Sequence, residues 1–158
     1  MEYVGGRLLY MPPCGDPQGK VAASMMGVLE PWGEAHPEFD VAGNEIGMIL
    51  GGEVRGADAA IRRRSAAEET TGGFWRTAPL LAVEIAGRDE GEPELREKAR
   101  WYLRHGVHAV WVVLPKTREV LVLHETGEAR HRSGDRLAAD PELPGLEPEV
   151  DRLFRQLR

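Results

Sequence analysis

Pro79-Leu80-Leu81-Ala82-Val83-Glu84-Ile85-Ala86-Gly87 is an apolar run bounded by proline and glycine, with one acid inside it. A run of that length and composition reads as a central strand covered on both faces. An unpaired carboxylate there costs several kcal/mol, so such groups are paired, protonated or bound to a metal. The sequence offers matching pieces on both sides. Asp58 lies in a strand-like run from Val54 to Ile61, and Lys98 lies on the helix that follows Glu84. Two carboxylates and a lysine on strand, strand and helix are the parts of a metal-dependent phosphodiester hydrolase.

Working outward, the stretch from Glu92 or Glu94 to His105 predicts a helix that Gly106 stops. Its apolar face is Leu95, Ala99, Tyr102 and Leu103, with Lys98 at the margin beside Tyr102. Val107 to Leu114 reads as a second strand, apolar except for His108, and Pro115-Lys116-Thr117-Arg118 turns into the alternating run Glu119 to His124. Upstream, Tyr3 to Met11 predicts a hairpin broken at Gly5-Gly6 and ending at Pro12-Pro13. Gln18 to Trp32 predicts a helix closed by Pro31, Gly33 and Pro37. Phe39 to Leu50 predicts a glycine-rich strand that turns at Gly51-Gly52 into the strand bearing Asp58. Ser65 to Gly73 reads as a polar loop, and Leu143-Pro144-Gly145-Leu146 leads into a short helix, Glu149 to Leu157. Strand, helix and strand form a βαβ-like core, giving the α/β or α+β class: a mixed sheet flanked by helices, with added hairpins. Residues 1–158 are read as one domain.

Bulk composition narrows the function. Apolar content of 42% and charged content of 29% fit an ordinary soluble chain, and no stretch approaches the roughly 20 apolar residues of a membrane span. The start, Met1-Glu2-Tyr3-Val4-Gly5-Gly6-Arg7, does not read as a signal peptide, and Cys14 is alone, so a cytoplasmic location is expected without a disulfide or cysteine-based zinc site. A net charge of −6 argues against coating nucleic acid by bulk electrostatics while leaving room for a local basic patch. Lys20, Lys98 and Lys116 are the only lysines among 20 basic residues, which gives a lysine in a site slightly more weight.

A hard divalent cation wants oxygen ligands, which Asp58, Glu84 and the backbone carbonyl of Ile85 can supply. The cation polarises a phosphate and lowers the pKa of a bound water, and the Lys98 ammonium stabilises the developing charge. Each residue also has a plainer reading. Glu84 can be the partner of a buried arginine such as Arg55 or Arg100, Asp58 a bend residue in Gly56-Ala57-Asp58, and Lys98 the partner of Glu94 in a surface pair. Arg62-Arg63-Arg64 and the nearby Trp75 suit phosphate contacts beside an aromatic platform; equally, they make a solvated strand end balanced by Glu68 and Glu69, with Trp75 anchoring a loop. His105 and His108 flank Gly106 and read as surface and turn residues before a zinc site. Trp101, Tyr102, Trp111 and Phe154 read as core. No glycine motif has phosphate-cradling spacing, so no organic cofactor is expected, and no nucleophile elbow supports a serine triad.

Leu81-Ala82-Val83-Glu84-Ile85, then Glu94-Leu95-Arg96-Glu97-Lys98-Ala99-Arg100-Trp101-Tyr102, Gly106-Val107 and Val110-Trp111-Val112-Val113 resemble the signature of the Uma-two-type family of small bacterial candidate restriction endonucleases, within the PD-(D/E)XK nuclease superfamily. The resemblance extends from Met11-Pro12-Pro13 and Asp58 to Leu143-Pro144-Gly145-Leu146. It implies a restriction-endonuclease-like fold and an Mg²⁺- or Mn²⁺-dependent endonuclease acting on DNA. Asp58 matches the superfamily's aspartate, Glu84 its strand glutamate, and Lys98 a lysine moved onto the helix, the usual lysine position being Ala86. Gln18 matches a polar helix-start position bordering the site. A homodimer that cuts both strands is expected on the same ground. The departures are Ala57 for proline, Arg7 for an acid, Pro17 for histidine, Gly87 for serine and Glu94 for aspartate. They leave open a degenerate module on the same scaffold that binds nucleic acid or a protein partner without cleaving.

Overall fold

The structure is a computed structural model that describes residues 1–67 and 72–158. One mixed sheet holds eight strands: β1 (Glu2–Val4), β2 (Arg7–Leu9), β3 (Phe39–Leu50), β4 (Glu53–Arg63), β5 (Leu81–Ile85), β6 (Ala109–Leu114), β7 (Glu119–His124) and β8 (Gly127–His131). They lie in the order β2-β1-β4-β5-β6-β7-β8, with β3 also paired to β4. Among the described strands only β5 and β6 run parallel, in the register Glu84 with Val112, because the helix α2 (Glu92–Arg104) carries the chain back between them. Every residue of β5 and β6 is buried, as their unbroken apolar composition requires. Among the described residues, no helix is long and apolar enough to cross a membrane.

Helices cover both faces. Val21, Met25, Leu29 and Trp32 of α1 (Asp16–Ala35) pack with Ile61, Val83, Trp111 and the short α3 (Val150–Phe154) on one face. Leu95, Ala99 and Tyr102 of α2 pack on Ala60, Ala82, Val110 and Val112 on the other. Side chains alternate across a strand, so Glu84 falls on the same face as Ala82, beneath α2.

The strand β4 changes neighbour along its length. It pairs with β1 at Val54 and with β5 only from Ala59 onward. Between those points its ladder with β3 is also irregular: Ala57 faces Ile46 and Ala59 faces Gly43, so Asn44 and Glu45 bulge opposite Asp58. Both bulge residues hold positive φ, 57° and 55°, a conformation that costs a non-glycine residue about 1–2 kcal/mol. Asp58 therefore sits where β4 is in register with neither side.

Several boundaries differ from expectation. The first helix begins at Asp16 and runs through Pro31 to Ala35. Proline at that point sacrifices one bond of the last turns, while buried Trp32 next to it holds the helix on the core. The last helix covers only Val150–Phe154. The strand β8 was not expected, since Gly127-Glu128-Ala129-Arg130-His131 has no apolar alternation; it forms by pairing with β7. Arg64–Ala66 make a 3₁₀ turn at the start of the polar segment, and residues 68–71, including Glu68 and Glu69, lie outside the described residues.

Candidate active site

Where β4 passes from β1 to β5, the backbone of Gly56 is left without a strand to bond on that side. Buried backbone groups are nearly always satisfied, and here side chains do it. The Gly56 N–H donates to Glu2 Oε1 (3.1 Å), and its carbonyl accepts from Lys98 Nζ (3.1 Å) and the Tyr102 hydroxyl (3.2 Å). Lys98 Nζ also lies 2.8 Å from Glu2 Oε1 and 3.1 Å from Glu84 Oε1. Its three N–H donors are thus matched by three acceptors. The Tyr102 hydroxyl shares its single proton between the Gly56 carbonyl and Glu84 Oε1, the shorter contact at 2.6 Å. The contacts of Glu84 converge on Oε1.

Glu84, which shares one ammonium in a buried gap, titrates abnormally. Burial raises the Glu84 carboxyl to about 8, and Lys98 only partly offsets it, with Asp58 adding to the rise. Burial alone would lower the Lys98 ammonium, yet Glu84 and Glu2 outweigh it and hold the group above its ordinary value. The lysine keeps its charge because two acids share it; Glu84 is poorly served because it receives only part of one lysine. Tyr102 is raised well above its ordinary value, first by burial and then by Glu84.

Asp58 approaches from β4. Its Oδ2 accepts the Ile85 N–H at 2.7 Å, and burial raises its carboxyl to about 6 against the pull of that bond and of Lys98. Glu45 on the bulge and Glu90 add to the rise. The carbonyl of the same Ile85 accepts from Gln18 Nε2 (3.1 Å) at the start of α1. Gly87 lies against this group: a Cβ there would come within 3.0 Å of Gln18 Oε1 and of Glu90 Oε1. The Glu90 carboxylate accepts the Gly87 N–H instead. A cavity of about 550 Å³ opens beside Gln18 and Gly87, walled by Asp16, Pro17, Arg88, Glu90, Pro115 and Lys116.

Asp58, Glu84, Lys98, Tyr102, Gln18 and the Ile85 carbonyl are thus brought together by the crossing of β4, β5, α1 and α2. The buried arginine partner considered for Glu84 is absent: Arg55 faces Glu2 at 4.0 Å and Arg100 faces Glu97. Asp58 is strand, not bend, and Lys98 points inward while Glu94 accepts the Gly91 N–H. Sequence reasoning missed Glu2. An acid next to a chain start carries no periodic signal, and only the topology brings it to Lys98.

Arg62, Arg63, Arg64 and Trp75 lie elsewhere. Arg62 is buried, with its guanidinium 4.2 Å over the Trp75 ring and Nε 3.3 Å from Asp40. Arg64 also bonds Asp40 (2.9 Å), and Arg63 bonds Glu142 (2.7 Å). Arg62 and Arg63 occupy the far end of β4, four and five residues beyond Asp58 or roughly 13–17 Å along the strand, and Arg64 begins the turn after it. Trp75 does anchor its loop: its N–H donates to the Gly47 carbonyl, and its carbonyl accepts from Ile49. The His105 ring lies tilted against Trp101, centroids 4.3 Å apart, and bonds the Trp101 carbonyl.

The eight-stranded mixed sheet between helices is of the restriction-endonuclease-like fold class. The chain belongs to the Uma2 family, described as "Putative restriction endonuclease", whose model matches residues 1–153. The crystal structure of a protein described as a putative nuclease belonging to DUF820, from Anabaena variabilis ATCC 29413, is similar at a TM-score of 0.84 and 18% identity, over 98% of this chain and 89% of that one. At that identity the likeness is one of fold. Comparison with curated proteins finds no match.

Proposed function

We propose that the protein is a metal-dependent endonuclease that hydrolyses DNA phosphodiester bonds at the β4–β5 crossing. The observation that carries the reading is the placement of two carboxylates with raised pKa values, about 6 for Asp58 and about 8 for Glu84, beside a buried lysine. The donor set is all oxygen and fits Mg²⁺ or Mn²⁺: Asp58, Glu84 and the Ile85 carbonyl would hold the ion. Such an ion polarises the phosphate and acidifies a bound water. Both carboxyls must ionise to bind it, which offsets the cost that burial now places on them.

The remaining work falls to the chain's own side chains. Hydrolysis adds water across a P–O bond, so the attacking oxygen loses a proton and the leaving oxygen gains one. Lys98 holds Glu84 Oε1 in place and supplies positive charge to the pentacoordinate phosphorus centre; its three donors are engaged, so direct contact with phosphate requires exchanging one. Tyr102 fixes the same carboxylate oxygen. Gln18 orients the Ile85 carbonyl, and the adjoining cavity gives the strand a place to lie. Arg62, Arg63, Arg64 and Trp75 receive no substrate role, because their charges and ring are committed to one another and to Asp40 and Glu142.

A second reading, a non-cleaving module on this scaffold, is favoured by one observation: Lys98 is neutralised by Glu2 as well as Glu84. Calorimetry with Mn²⁺ on the wild type, Asp58→Ala and Glu84→Ala, followed by plasmid cleavage, separates the two. Binding and cleavage lost together in both variants support the nuclease. Full cleavage in either variant would sink it, and a wild type that binds no Mn²⁺ would favour the module.

A further inference from the structure

At the opposite end of β6 from Glu84, His108 immediately precedes the strand and His124 ends its antiparallel neighbour β7. The segment between β8 and α3 folds back and places Asp140 against both. His108 Nε2 lies 3.0 and 2.8 Å from the two Asp140 oxygens, and His124 Nε2 lies 3.0 Å from Oδ2. The three donor atoms fall within 4.8 Å of one another, and the two rings meet edge to face, 5.1 Å apart. From this convergence of two imidazole nitrogens and a carboxylate we propose a site for a borderline first-row transition cation, with Zn²⁺ the best match.

The chemistry fits such an ion and not Mg²⁺, which takes oxygen. Zinc bonds to imidazole nitrogen and carboxylate oxygen are about 2.0–2.2 Å, which sets tetrahedral ligands roughly 3.3–3.5 Å apart. The present histidine-to-carboxylate spacings of 2.8–3.0 Å need open by only a few tenths of an ångström, and the two imidazole nitrogens already lie within 4.8 Å of each other. In the metal-free arrangement each imidazole donates its Nε2 proton to the one acid. Zinc takes the place of both protons, using the lone pairs of the other neutral tautomer. The imidazoles are about one-third exposed and Asp140 mostly buried, so the ion would face solvent on one side and keep a position for water. Asp140 is already anchored, with Oδ1 accepting the Glu142 N–H and its carbonyl accepting the Leu143 N–H. The same segment buries Leu137, Leu143 and Leu146 in the core. A bound ion would staple it to the ends of β6 and β7. The site is separate from the proposed nuclease centre: Val112, the partner of Glu84, lies four residues, or about 13 Å, further along β6.

The test uses chelator-stripped protein carrying Asp58→Asn and Glu84→Gln, so that only this site can respond. Zn²⁺ is titrated by calorimetry, and Co²⁺ by its visible ligand-field absorption. Expected are one ion per chain, cobalt bands of a nitrogen–oxygen site, and a rise in Tm with Zn²⁺. Adding His124→Gln or His108→Gln should abolish all three; each glutamine keeps an N–H donor for Asp140, so the fold is retained, and unchanged circular dichroism checks this. Absence of Zn²⁺ binding in the Asp58→Asn, Glu84→Gln protein overturns the proposal. So does binding that survives in both histidine variants. Should one variant fail to fold, the other decides.

Discussion

Replacing Glu84 by glutamine in metal-free protein should remove a pH-dependent penalty built into the sheet. In the folded chain the carboxyl releases its proton only near pH 8, against 4.5 ordinarily. Between these values the folded state holds a proton that the unfolded state has lost, so stability falls as pH rises. At 1.36 kcal/mol per unit, going from pH 5.5 to pH 8 costs the wild type about 3 kcal/mol through this group. Asp58 adds about 0.8 kcal/mol over that window, since its shift, to about 6, acts mainly at lower pH. Glutamine keeps acceptors for the Tyr102 hydroxyl and for Lys98 but cannot ionise. The variant should therefore lose only about 1 kcal/mol between pH 5.5 and 8, and be more stable than the wild type at pH 8. Urea denaturation in EDTA at the two pH values measures it. A wild type whose midpoint does not move, or a variant with the same slope, would refute the claim that burial outweighs Lys98 at Glu84. If Mn²⁺ binds as proposed, saturation with it should flatten the wild-type slope, because the loaded folded state and the unfolded state both hold these acids ionised across the window.

Lys98→Met leaves Glu2 and Glu84 facing each other and should cost about 3–5 kcal/mol at pH 8 by urea denaturation, with a smaller loss at pH 5.5. Trp75→Ala removes the ring beneath Arg62 and should cost about 3–5 kcal/mol in the same assay, without affecting Mn²⁺ affinity. Pro31→Ala restores an N–H to α1 and should stabilise by about 2 kcal/mol, under the roughly 3 expected of a mid-helix proline, since Pro31 lies near the helix end. A lower Tm in that variant would mean that the proline ring itself packs usefully.

Much of this architecture was legible in the residues. Strands β5 and β6 announce themselves because burial on both faces forces unbroken apolar runs, and α2 because its apolar residues recur at helical spacing. Asp58, Glu84 and Lys98 stood out as polar groups in or beside those runs. Glu2 did not, because its role depends on which strand lies beside β4, a tertiary fact. Asp140 and His124 were equally silent, lying in separate elements with no shared spacing to His108. The strand β8 escaped because an exposed edge strand needs no alternation once a neighbour offers it a ladder. The helix through Pro31 shows packing at Trp32 overriding local propensity.

Bridging by acids where a strand would otherwise sit also gives the molecule an internal gauge. The N–H groups of Gly56 and Ile85 are bonded to the Glu2 and Asp58 carboxylates, not to carbonyls. The Ile85 amide resonance should follow the charge of Asp58, whose carboxyl burial raises to about 6. Watching that one amide while adding protons, and then Mn²⁺, would report on the proposed cation site with no nucleic acid in the tube.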